Sequence, residues 1–400
     1  MSSAGGTADR RHASISPTVK GLSVVSLLND FASEMVYPLL PAFVTGTLGG
    51  GAVTLAALDG TADLVAAASK WWSGLKADRP GWSRPLMLVG YGVAIVVRPM
   101  MALAGAAWQV VALRAADRLG KGVRTPPRDA MIAAVTTPEL RGRAFGFHRA
   151  ADHFGSIPGA LLAWWLLSQA VPTRSVLAFS AIPGLLSLLV LHRVLRSAPE
   201  TTPSAATLAA APPDATGTVF WAPVAVLALL VLCRVPEALL LLRLQDLGVA
   251  TAVIPLVWAG LHVIRSLVSY PGGWLTDRLG PRRLVTAGGL AFAAGAAALG
   301  GAVSTAGGVG VFLCLGLVAG LMEPAERSLV ARLAPRRTGR GFGAYHALTG
   351  FAALPAALLF GAVYQRQGGD VALYLSAALM VIATVCWWPA MGQSPQRGQA

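Results

Sequence analysis

The sequence predicts an all-α membrane protein made of two similar six-helix halves, and three observations carry that prediction. Of the 400 residues, 55% are hydrophobic and only 12% are charged, with a mean hydropathy of +0.61; a soluble chain of this length needs more polar surface than that. Apolar windows of spanning length recur twelve times, and at about 20 residues each they leave room only for short loops, two tails and one linker. Three motifs of the first half return in the second at a nearly constant offset.

The windows, bounded by glycine, proline or charge clusters, place spans at 19–45, 53–76, 85–105, 107–134, 142–169 and 174–195. Six more follow at 219–246, 252–275, 284–304, 308–333, 342–366 and 370–390. The chain then divides into a cytoplasmic tail (1–18), an N-terminal bundle (19–195), a cytoplasmic linker (196–218), a C-terminal bundle (219–390) and a second cytoplasmic tail (391–400). The first window follows Arg10, Arg11 and Lys20 but contains Asp30, Glu34 and two prolines, the pattern of an uncleaved span rather than a signal peptide. Ser197 to Thr218, rich in Pro, Ala, Thr and Ser, has the composition of a flexible linker.

Charge sets the orientation. One set of alternate loops carries Lys76, Arg79 and Arg84; Arg141 and Arg143; Arg193 and Arg196; Arg278, Arg282 and Arg283; and Arg336, Arg337 and Arg340, while the other is short and nearly uncharged. Lys and Arg beside spans stay in the cytoplasm, so both termini are expected there, with the chain multi-pass in the cytoplasmic (inner) membrane. The formal charge of +14, which on a soluble chain would point to nucleic acid, is explained by this topology, and no nucleic-acid partner is expected. Cys233, Cys314 and Cys386 lie in apolar runs and offer neither a disulfide framework nor metal-type spacing.

The repeat is specific. Gly74-Leu-Lys-Ala-Asp78-Arg79-Pro-Gly81 matches Gly273-Trp-Leu-Thr-Asp277-Arg278-Leu-Gly280, and 277 minus 78 gives an offset of 199. Arg143-Ala-Phe145-Gly146 matches Arg340-Gly-Phe342-Gly343 at 197, and the run from Pro126 to Ala133 matches that from Pro324 to Ala331 at 198. Repeated halves in a membrane chain mark a two-lobed transporter with its site between the lobes.

These residues resemble the major facilitator superfamily over essentially the whole chain. The family's loop signature G-x-L-A-D-R-x-G-R-R is nearly intact from Gly273 to Arg283; the first copy departs from it, with Lys76 where Leu is usual and Trp82-Ser83-Arg84 in place of the basic run. Arg114-Ala-Ala-Asp117-Arg118-Leu-Gly120-Lys121-Gly122 fits the frame R-x-x-Q-G-x-G-x-G of the family's fourth helix with three charges introduced, Asp117 and Arg118 for its Gln and Gly and Lys121 at a free position. Gly146, Gly155 and Gly159 look like the glycine motif of the family's antiporters, although Pro158 stands before Gly159 rather than after it. LLNDFASEMVYPLLPAF from Leu27 and RLGKGVRTPPRD from Arg118 are similar to a subgroup of bacterial and archaeal permeases. The resemblance implies two pseudo-symmetric bundles around a central cavity lined by helices 1, 4, 7 and 10, alternating access, and a gate at the paired loops formed by Gly74, Asp78, Arg79, Gly81, Gly273, Asp277, Arg278, Gly280 and Arg282.

Charges inside hydrocarbon cost about 2.5–3.5 kcal/mol each on insertion scales and persist where they pair or line a wet cavity. Arg114, Asp117, Arg118, Lys121 and Arg124 recur at three-to-four spacing and form one stripe on span 4; in the family's arrangement it faces the cavity. Asp30 and Glu34, one turn apart on span 1, can meet that stripe, and Glu237 with Arg243 supplies the second half. These nine are the expected substrate and proton-coupling residues, against the alternative that spans 1 and 4 are simply locked together by fixed ion pairs. Asp63, His148, Arg149, Asp152, His262, Arg265 and Glu323 form an expected secondary, gating set. For His148, Asp152 and His153, a metal site, a pH-sensitive gate and plain pairing all remain open, with Arg149 disfavouring a cation.

No G-x-x-x-x-G-K-[ST], H-E-x-x-H or G-x-S-x-G constellation occurs, so nucleotide hydrolysis and the common hydrolases have no machinery here. The expectation is a monomeric, cofactor-free transporter in the lipid bilayer, not an enzyme, driven by a proton gradient and exporting a small amphiphilic or anionic organic compound. Proton symport of an organic anion or phosphate-bearing metabolite is one alternative, and a non-transporting sensor or lipid-handling protein is another.

Overall fold

The computed structural model describes residues 15–40, 43–50, 52–198, 217–250, 253–334 and 336–390, and among them every regular element is helical. The first lobe contains α1 (Pro17–Val36), α2 (Ala52–Ala77), α3 (Ser83–Met100), α4 (Ala107–Ala134), α5 (Arg141–Ser168) and α6 (Thr173–Phe179, continued as Ala181–Ser197). The second contains α7a (Gly217–Leu232), α7b (Glu237–Asp246), α8 (Ile254–Leu279), α9 (Pro281–Gly300), α10 (Thr305–Leu333), α11 (Thr338–Gln367) and α12 (Gly369–Ala390). Residues 1–14 of the predicted first tail, the whole of the second and nearly all of the predicted linker lie outside the described residues.

Five stretches are long and apolar enough to span on composition alone: Ser83–Leu103, Thr173–Ser197, Pro281–Gly300, Thr305–Leu333 and Thr338–Gln367. Other rods carry the interior charges discussed below. The expected span at 219–246 is two helices, because Pro236 has no N–H to continue the ladder and starts α7b instead.

The repeat extends to backbone geometry. Gly81 and Gly280, equivalent at offset 199, turn the α2–α3 and α8–α9 corners at φ +78° and +85°, where any other residue would set its Cβ against the backbone. Inside α4, Pro126 cannot donate to the carbonyl of Gly122, and the Ser73 hydroxyl of α2 donates to it instead at 3.0 Å. A freed backbone group in a bilayer needs such a partner.

Small residues set the packing within the first lobe. A Cβ on Gly155 or Gly159 would lie 2.3 Å from the Leu27 carbonyl or 2.4 Å from that of Phe31, so the glycines of α5 bring it onto α1. Gly146, higher in the same motif, does something different: it packs on Ser269 and Gly273 of the other lobe.

Two seams join the lobes, α5 against α8 and α2 against α11. Gly142 and Gly146 meet Gly273, Gly74 meets Gly343, and Phe145 meets Phe342 edge-on at 5.6 Å between ring centres. These contacts fall in the first half of α5 and α11 and the last half of α2 and α8. The lobes therefore close on each other at the face that carries the arginine-rich loops.

A candidate substrate and coupling site between the lobes

The five charges of α4 do not share one environment. Asp117, 1% exposed, accepts from Arg98 Nε of α3 at 2.8 Å and from Arg114 at 3.4 Å. Arg98 also donates to the backbone and side-chain oxygens of Asn29 on α1, at 2.9 and 3.0 Å. Arg114 lies over the Tyr37 ring at 4.3 Å. Arg124 donates to the Gly90 carbonyl at 3.3 Å and lies over Tyr91 at 4.5 Å. The expectation of a single cavity-facing stripe is corrected on this point: Asp117, Arg114 and Arg124 are buried with partners inside the lobe, where they help to tie α1, α3 and α4 together. Arg118 and Lys121 remain half-buried and face outward from it.

Around those two lie the carboxylates of α1 and the polar face of α2. Asp30 and Glu34 are half-buried, and Asp30 accepts from the Asn29 amide at 3.0 Å. Glu34 is within electrostatic reach of Asp30, Lys121, Arg118 and Arg114, Lys121 of Arg118, Asp30 and Lys70, and Lys70 of Arg118 and Asp63. Asp30, Glu34, Asp63, Lys70, Arg118 and Lys121, three carboxylates with three cations, are thus linked by electrostatic reach within the first lobe.

In the second lobe Glu237 is ion-paired to Arg265 and is 41% exposed at its side chain. Arg243, expected with the site, instead caps the end of α9 by donating to the carbonyls of Gly300 at 2.9 Å and Ala302 at 3.4 Å, a use suited to a cation at a helix C-terminus. The remaining polar residues sit at the closed seams. Arg149 bonds Glu323 of α10 and, at 2.7 Å, Asp152; His153 stands 3.6 Å from Glu323 and 5.5 Å, ring to ring, from His262. His148 is fully buried, 3.4 Å from the Ser23 hydroxyl and 3.7 Å from Asp152. Among the described residues no group of three His, Cys, Asp or Glu side chains has metal-holding geometry.

The other seam carries a bond that sequence reasoning missed. His346 Nε2 of α11 is 2.8 Å from Asp129 of α4, with Arg327 at 3.9 Å from the same carboxylate. The signal was present: 346 minus 149 is 197, the offset of this part of the repeat, so His346 is the counterpart of Arg149. At these equivalent positions of α5 and α11 a basic side chain crosses to a carboxylate of the opposite lobe.

The sequence profile described as Major Facilitator Superfamily matches residues 22–260 and 235–399. The chain belongs to the major facilitator superfamily. An uncharacterised MFS-type transporter of Methanocaldococcus jannaschii is 24% identical over 377 residues, covering 92% of this chain and 93% of that protein. The multidrug resistance protein MdtH of Yersinia enterocolitica is 31% identical over 133 residues, a third of each chain. The crystal structure of the human organic anion transporter MFSD10 has the same fold, with a TM-score of 0.74 at 16% identity, over 93% of this chain and 100% of that one. Membership makes this a multi-pass membrane transporter and not an enzyme.

In this superfamily member the paired loops are bonded across the lobes, the contacts that a latch would need. Asp78, at the end of α2, accepts from the N–H groups of Gly339 and Arg340 at 2.7 and 2.8 Å. Asp277, at the end of α8, accepts from those of Gly142 and Arg143 at 2.7 and 3.0 Å and from Arg143 Nε at 3.2 Å. Each carboxylate caps the positive end of a helix in the other lobe. Arg79 is exposed, Arg278 lies over Trp274 at 3.8 Å, and Arg282 belongs to the first turn of α9. Asp277→Asn should shift the open-to-closed ratio of this face by roughly 3–10-fold, the worth of a charge at a helix end. Hydrogen exchange at the Gly142 and Arg143 amides should accelerate accordingly, and unchanged exchange there would reject the latch.

Proposed function

We propose that this transporter is a monomeric, proton-coupled carrier of a small amphiphilic organic anion, working by alternating access without a cofactor. The observation that supports it is the cluster of Arg118, Lys121 and Lys70 opposite Asp30, Glu34 and Asp63 on one wall of the space between the lobes. A bilayer tolerates such a set where it pairs and lines a hydrated cavity, and guanidinium groups bind planar oxyanions in two-point fashion. With all six groups ionised the wall is balanced. An entering anion draws the cations from the carboxylates, which favours protonation of Asp30 or Glu34. Proton and anion then stabilise each other on the protein, and this linkage is reciprocal.

That electrostatic argument favours movement of both in the same direction. By the positive-inside rule the closed, arginine-rich face is the cytoplasmic one, so the present conformation would receive both from outside. Export in exchange for a proton is the second reading, favoured by the α5 glycines and the likeness to a multidrug resistance protein. It requires the substrate to displace the proton, as a neutral or cationic compound would.

Proteoliposomes separate the two. A gradient more acidic outside should concentrate an organic acid inside above its external level; accumulation of a neutral or cationic drug against the opposite movement of protons would support export instead. Asp30→Asn with Glu34→Gln should retain ligand binding and lose the pH drive, and unchanged proton-driven flux in that variant would reject these carboxylates. Arg118→Ala with Lys121→Ala should weaken organic acids by about 10–100-fold, the loss of charge-assisted bonds, while sparing their neutral esters. Equal loss for both would make the two cations structural.

A further inference from the structure

We infer that the second lobe holds a separate site for a small monovalent anion of the halide class, on Arg234 at the break of α7. The break is a built feature. Ser376 of α12 donates its hydroxyl to the Cys233 carbonyl at 2.7 Å and accepts from the Val235 N–H at 3.1 Å, so the interrupted backbone is satisfied and Arg234 is aimed into the lobe. There its guanidinium lies 5.4 Å over the Phe292 ring and one NH2 stands 4.0 Å from the Met322 sulfur. Its Nε is buried without a partner. A thioether and a ring face are weak acceptors for five N–H donors, and among the described residues no carboxylate lies within ion-pair distance of Arg234.

Beside it is a cavity of about 30 Å³ lined by Arg234, Glu237, Arg265, Phe292, Phe312 and Met322. That is room for a water-sized particle or two. The charges on its wall do not balance. Glu237 is already bonded to Arg265, whose own Nε is also buried and unbonded; two guanidiniums and one carboxylate leave one positive charge. An uncompensated charge in a lobe surrounded by hydrocarbon is costly, and one halide ion against Arg234 removes it with a particle that fits. The site is distinct from the charged wall of the first lobe and stands or falls independently of the transport reading.

The test is thermal unfolding of the purified full-length protein at fixed pH, sodium and ionic strength, with chloride replacing gluconate. Chloride should raise the midpoint saturably, by about 2–4 °C at a hundredfold excess over its Kd; bromide should substitute for it, and Arg234→Gln should remove the response. A flat response in the parent, or an equal response in Arg234→Gln, overturns the site. Should that variant not fold, a bromide-soaked crystal of the parent decides: anomalous signal in the cavity beside the Arg234 guanidinium supports the assignment, and none at saturating bromide refutes it.

Discussion

Arg98→Ala is expected to destabilise the first lobe by about 3–5 kcal/mol, the cost of leaving one half of a buried ion pair without the other. Arg98 and Asp117 are 3% and 1% exposed. Removing the guanidinium takes away the shorter of the two ion-pair contacts of Asp117, leaving that to Arg114 at 3.4 Å, and strips a donor from both Asn29 oxygens. Three helices lose their common tie at once, since Arg98 comes from α3, Asp117 from α4 and Asn29 from α1. The pair itself is a weak source of stability, because two desolvated charges offset much of their own attraction. The double variant Arg98→Met with Asp117→Asn should therefore recover at least half of the loss, with the neutral amide still accepting from Arg114. Unfolding of the single and double variants in the same detergent measures the coupling directly. A double variant no more stable than Arg98→Ala would show that the pair is not the origin of the effect.

Arg98 also marks where sequence reasoning stopped. The twelve spans, the two lobes and the loop motifs were legible because each depends on local composition or on the repeat: hydropathy locates α3 and α9, and the shared offset turns Asp78 and Asp277 into one device. Pairing between distant helices has no such local trace. A lone Arg98 near the end of a span looks like a flanking charge, although it lies at the end away from the arginine-rich loops and so departs from the pattern that explains the others. The α4 stripe was visible as a row of charges, but which members point into the lobe depends on how α3 and α2 press on α4 at Gly90, Gly120 and Gly122. His346 was recoverable from the repeat alone. The interruption of α7 was signalled by Pro236, while the partner that makes it tolerable, Ser376, is 140 residues further on.

Gly273→Leu is expected to open the arginine-rich face and reduce transport to about 1% or less of the parent, without loosening either lobe. A Cβ at Gly273 would lie 2.1 Å from the Gly142 carbonyl oxygen and 2.6 Å from its carbon, and one at Gly74 would lie 2.5 Å from the Gly343 Cα. In both places the obstacle is backbone on the facing helix, which cannot rotate away as a side chain can. The clash is between lobes and not within one, so the bundles keep their own packing, and leucine favours helix more than glycine by roughly 0.5–1 kcal/mol. Inverting a 99:1 preference for the closed face takes about 5.5 kcal/mol, and separating the α5–α8 seam also breaks the Asp277 cap and strains the Arg149–Glu323 pair. Spin labels at Arg79 and Arg336, both exposed on that face, report the change in a background with the cysteines replaced: the distance distribution should move to longer values in Gly273→Leu while the thermal midpoint stays close to that of the parent. An unchanged distribution would mean that the glycine seam does not control closure; a longer distance with a collapsed midpoint would mean that the seam holds the lobes themselves together, and that alternating access pivots elsewhere.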